Sequence, residues 1–170
     1  MINSANLFEE LYRYKLWANR EILAMTQAVD AAQHANDRHT VIRILNHTYV
    51  VDRIFAGHLT NTPHLYKATN TEETPTLGDL TESISKSDNW YLNYVAGLVP
   101  SALAETISFK FTDGDSGSMT RQEMLMHLIN HGSYHRGAAG RILAQLSIAP
   151  PKDTFTAFLH QSEPHRRVQA

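Results

Sequence analysis

Apolar and aromatic residues recur at steps of three and four from Leu7 through Leu11, Tyr14, Ala18, Ile22 and Met25, the stripe of an amphipathic helix over residues 4–28. A polar turn, DAAQHANDRH, precedes a second stripe of Ile44, His47, Val51, Ile54 and Phe55, which places His47 on an apolar helix face. The following TNTPHLYKATNTEETPT has little periodicity and reads as a long surface connection and pocket wall. Leu77, Leu80, Ile84, Tyr91, Tyr94, Val95 and Leu98 outline a third helix that Pro100 closes. In ETISFKF the pattern changes to alternation of Ile107, Phe109 and Phe111 with polar neighbours, and the turn TDGDSG predicts a small hairpin returning at SMT. Thr120 and Glu123 have the spacing of a capping box, and Met124, Leu128, His131, His135, Ile142 and Leu146 form the stripe of a fourth helix. SIAPPKD ends it, with a short amphipathic piece at TFTAFLH and a frayed polar tail from about residue 161.

Each stripe must bury itself against the others, so the pattern predicts an all-α fold, a four-helix bundle with a β-hairpin between its third and fourth helices. The length of 170 residues and a hydrophobic content of 42% suit one domain spanning residues 1–170. Fifteen Lys and Arg stand against 17 Asp and Glu, with no run of five like charges, so no nucleic acid or membrane is expected as a partner. MINSANLFEELYRYKLW carries charges where a signal peptide needs an apolar run, so the expected location is cytoplasmic. The chain has no cysteine, which leaves nitrogen and oxygen as the ligands for any transition metal.

Composition thus turns attention to HLINHGSYHRG, where His127, His131 and His135 stand four apart. Residues at that spacing share a helix face, so His131 and His135 can reach one ion, and His47 meets the same apolar environment on the second helix. Three imidazoles from two helices would suit zinc, nickel or another divalent first-row ion, with a position left for water or substrate. The spacing serves equally well for core imidazoles satisfied by hydrogen bonds. His127 is rotated off the stripe centre and is expected to line a pocket, while His34, His39, His58, His64, His160 and His165 are expected to be solvated. Tyr14, Trp17 and Asn19 read as packing and local hydrogen bonding, Arg136 as a surface partner of a carboxylate, and Asp52 as either a support for His47 or an entering ligand or a solvated group. No phosphate loop, GxSxG elbow or HExxH sequence is present.

LYRYKLWANREIL, LNHTYVVDRIF, and above all EMLMHLINHGSYHRG followed by ILAQLSIAPPKD resemble, in this order, the DinB/YfiT-like family of bacterial metal-binding four-helix bundles. The resemblance implies His47, His131 and His135 as metal ligands, with the ion at one end of the bundle and an open position facing a pocket. It also implies one divalent ion, zinc or nickel first and manganese or iron next, and a homodimer. Members of the wider superfamily include thiol-dependent S-transferases, so a low-molecular-weight thiol and a small-molecule electrophile become the expected substrates. A non-catalytic metal-binding or stress-associated protein, or a metal-dependent hydrolase, is the alternative. Ala138 departs from the family pattern, in which a glutamine often follows HRG.

Overall fold

The structure is a computed structural model that describes residues 4–167, with described side chains beginning at Asn6. The long helices are α1 (Ser4–Gln27), α2 (Ala35–Thr60), α3 (Leu77–Ala96) and α4 (Arg121–Gln145). Between the last two lie a 3-10 turn (Pro100–Ala104) and the strands β1 (Thr106–Lys110) and β2 (Ser116–Thr120). A short α5 (Phe155–Ser162) follows, so five α-helices rather than four are present among the described residues. α5 packs its Phe158 against Tyr14 and Trp17 of α1, a small apolar cluster of its own. The tail expected to fray from about 161 stays helical through Ser162 and makes a further 3-10 turn at Pro164–Arg166; its last three residues, 168–170, lie outside the described residues.

In cross-section α1 lies beside α3 and α4, and α2 beside α4 and α3, so consecutive helices α1 and α2 face each other across the bundle. Two large apolar clusters fill the interior. One joins Phe8 and Tyr12 of α1 to Val50 and Ile54 of α2, Tyr91 and Val95 of α3, and Leu125 and Leu128 of α4. The other joins Ile22, Leu45, Leu80, Ile84, Ala139 and Leu143. Along each helix the sequence passes from one cluster to the other through buried polar residues: Lys15 and Asn19, Thr48 and Asp52, Ser87 and Asp88, and Arg136. A periodicity of 3.6 selects the inward face of a helix, but it does not reveal that the middle of that face is charged.

The capping box at the start of α4 is present in both directions, Thr120 accepting from the Glu123 backbone and Glu123 from the Thr120 backbone. Thr120→Ala is expected to cost about 1 kcal/mol, within the ~0.5–2 kcal/mol span of such caps, as measured by urea denaturation at neutral pH.

The hairpin pairs Thr106 with Thr120 and Phe109 with Gly117. A Cβ at Gly117 would stand 2.7 Å from the Phe109 ring and 2.8 Å from that of Phe111, so glycine lets both rings cross the partner strand. Phe109 is buried against Phe55 and His58 of α2, with ring centres 6.1 and 4.8 Å away. Phe111 lies 48% exposed at the edge of a cavity between α2 and the hairpin.

Candidate metal centre

His47 sits near the middle of α2, and His131 and His135 near the middle of α4, where the two helices pack. The family resemblance implies an ion at one end of the bundle; the histidines instead lie halfway along their helices, at the level of the polar layer. One ligand atom from each imidazole can be chosen so that all three lie within 4.8 Å of one another. The expected trio therefore converges, and the rings are half-buried.

The orientation of His47 is fixed from outside the bundle. Its Nδ1 lies 2.7 Å from the Thr69 carbonyl oxygen, which can only accept, so Nδ1 carries the proton and Nε2 of the neutral ring presents a lone pair. The crossover that supplies Thr69 is pinned along α2: Arg43 donates to the Thr71 carbonyl at 2.6 Å, and Asn46 donates to the Asn70 and Thr71 side chains at 2.5 and 2.6 Å. Nε2 of His47 faces Nε2 of His131 at 3.1 Å. Tetrahedral zinc with Zn–N near 2.0–2.1 Å separates neighbouring nitrogens by about 3.3 Å, so the spacing of this pair fits one ion with little movement. Without an ion, the same contact is a hydrogen bond from the His131 ring, whose Nδ1 is then a buried acceptor with no partner among the described residues. The donor set thus suits a borderline divalent cation.

Burial is the main cause that pushes His131 down from 6.5 to about 3, helped by His135, His47, His127 and Lys15. Burial, then His47, lowers His135 as well. Folding therefore excludes a proton that the unfolded chain accepts below 6.5, so the stability of the metal-free protein falls as pH drops from 6.5 toward 3. Asp52, which burial raises to about 6, opposes this between about 6 and its ordinary 3.8. In chelator-treated protein, His131→Gln is expected to shrink the stability lost between about pH 7.5 and about pH 5 in urea titrations. An undiminished loss would sink the assignment of that proton exclusion to His131.

Beside the trio, His127 stacks on Phe55 with ring centres 5.0 Å apart and lines a cavity, as expected for it. His58, expected to be solvated, is part of the same wall, and its ring lies 5.3 Å from that of His64. The hairpin and crossover fold over both, an effect of distant segments with no local signal.

Residues 1–167 match the sequence profile of the DinB family. The chain belongs to the DinB family. It is similar to Protein DinB of Bacillus subtilis (strain 168), 24% identical over 169 residues that cover 91% of this chain and 94% of that protein. This DinB-family chain therefore carries a three-histidine cluster capable of holding a divalent metal ion.

Other residues depart from expectation. Asp52 neither supports His47 nor meets solvent: it is buried and accepts from Lys15 Nζ at 2.6 Å. Lys15 also donates to Asp88 at 2.8 Å, and Asn19 donates to Asp88 at 2.9 Å. Arg136, expected at the surface, is buried; it donates to Asn19 at 3.0 Å and to Asp153 at 2.7 Å. Its partner is indeed a carboxylate, but one delivered by the loop after α4. Gly132 permits this, because a Cβ there would lie 2.9 Å from the Arg136 guanidinium. Lys15, Asp88 and the Thr69 carbonyl escape a sequence reading, since a single lysine or a main-chain oxygen makes no motif. Ala138 is exposed, so this departure from the family pattern faces solvent rather than the core.

Proposed function

We propose that His47, His131 and His135 hold one divalent transition ion and that the chain is a metal-dependent enzyme, a transferase that joins a small thiol to an electrophile. The observation that carries this reading is the His47 ring, oriented by Thr69 so that its lone pair faces His131 beside an open cavity. Three neutral nitrogens leave a coordination position free, whereas a structural site is ordinarily closed by four ligands. Bound there, the ion would supply Lewis acidity that favours the deprotonated form of a thiol.

The chain's own residues have separate tasks in this reading. Thr69 holds the His47 proton at Nδ1 and fixes the ring. The cavity walls of α2 and the hairpin exclude water from the reacting atoms. His127, one helical turn before His131 and without a hydrogen-bond partner among the described residues, is placed to take or return a proton in the cavity. Because the protein has no cysteine, the sulfur must arrive as substrate.

The test combines elemental analysis of tag-free protein with conjugation of a fluorogenic electrophile to glutathione, bacillithiol, mycothiol or cysteine. About one ion per chain is expected, with a rate above background that disappears on chelation and in His131→Ala. Full metal occupancy with no thiol-dependent rate would overturn the transferase reading and direct the search to hydrolysis or a non-catalytic role.

A further inference from the structure

The cavity that His47 and His131 of the trio help to line has a volume of about 390 Å³, within the ~300–1,000 Å³ range of small-molecule sites. Its walls are Val51, Ile54 and Phe55 of α2 with Phe109, Phe111 and Met119 of the hairpin. Among the described residues, not one Asp, Glu, Lys or Arg contributes to its lining, and hydrogen-bonding side chains are confined to imidazoles and two threonines. The exclusion is local, because the cavity of about 640 Å³ under the crossover is lined by Arg53 together with Tyr49 and Tyr66.

We propose that the cavity beside the histidines receives the uncharged, apolar body of the substrate, with the reacting atom at the histidine end and any charged group left outside the mouth. The chemical class is a neutral aromatic or aliphatic molecule. Away from the histidine end, a carboxylate or ammonium placed among these walls would lose its hydration and find no opposite charge. The rings of Phe109 and Phe111 meet edge-on at 4.9 Å and form an aromatic wall, while Met119 can adapt its shape to the guest. An engineered cavity of ~150 Å³ holds benzene, so this one accommodates a ring bearing a side chain or a fused pair. The inference deepens the metal-dependent transferase reading and rests on it for what reacts, but not for what binds.

Metal-free protein labelled with ¹³C-methyl methionine separates the two. Met119 lines the cavity, whereas Met25 belongs to the other apolar cluster and Met126 points outward, so the last two serve as internal controls. Benzyl alcohol, benzoate and benzylammonium present the same ring with different charge. Benzyl alcohol is expected to shift the Met119 signal saturably, with both ions binding at least about tenfold more weakly. Phe111→Lys, at an exposed position on the rim, is expected to bring benzoate up relative to benzyl alcohol. Equal binding of the three compounds by the wild type, a Met119 signal that does not respond, or an unchanged order in Phe111→Lys would overturn the proposal. If benzyl alcohol behaves as expected but tag-free protein takes up no divalent ion, the metal-dependent reading fails and the cavity assignment stands.

Discussion

Lys15→Met is expected to destabilise the protein by about 3–5 kcal/mol, the cost of removing one partner from a buried ion pair and leaving uncompensated charge behind. Lys15 is 1% exposed, and its two carboxylate partners, Asp52 and Asp88, are 5% and 2% exposed. Burial alone would lower the lysine's pKa, but Asp52 and Asp88 outweigh it and raise the pKa, so Lys15 is charged at neutral pH. Burial pushes Asp52 up to about 6 even with the lysine in place. Without that cation, the carboxylates would face each other with Asn19 as the remaining donor to Asp88. Guanidinium denaturation of metal-free protein at neutral pH measures the cost, and a loss below about 1 kcal/mol would show that the pair contributes little. The deficit should narrow on acidification, because protonation relieves a group whose folded-state pKa is raised. Replacing the whole group as Lys15→Met/Asp52→Leu/Asp88→Leu should recover much of the loss, since apolar residues of similar volume often substitute for a buried ionic group without penalty.

Metal affinity is expected to fall by more than about a hundredfold in His47→Ala, His131→Ala and His135→Ala, exceeding the ~10–100-fold loss typical of removing an outer hydrogen-bond partner. Each change deletes one of three nitrogens, and among the described residues no carboxylate lines the cavity to replace it. His160→Ala, on the exposed face of α5, serves as the reference and should leave affinity unchanged. Competition against a chromogenic chelator with tag-free protein reads all four. Equal affinities for the wild type and the three variants, or a comparable loss in His160→Ala, would refute the ligand assignment. The variants should remain folded, because half-buried rings are shortened without opening the apolar clusters on either side.

These two expectations were not equally visible in the chain. His131 and His135 are four residues apart on one helix, and the 3.6-residue period brings them to one face whatever the rest of the fold does. His47 was legible as a histidine on an apolar stripe, but its meeting with the other two depended on α2 packing beside α4. The polar layer was scarcely legible. Lys15 lies within a pattern that reads as an amphipathic helix, while Asp52 and Asp88 are separated from it by 37 and 73 positions. Arg136 beside His135 was read as a surface residue because its position on the helix gives no sign that Asn19 and the Asp153 loop cover it.

Local repetition and local chemistry determined the long helices, the hairpin turn, the cap at Thr120 and the facing pair on α4, because each rests on interactions a few residues long. Only the tertiary structure decided that the histidines lie halfway along the bundle, that a main-chain oxygen at Thr69 orients His47, and that Lys15 sits between two acids. It also decided that, among the described residues, no Asp, Glu, Lys or Arg lines the cavity beside His47 and His131. The physical reason is that burial and hydrogen-bond partnership belong to pairs of segments, and a sequence pattern reports one segment at a time.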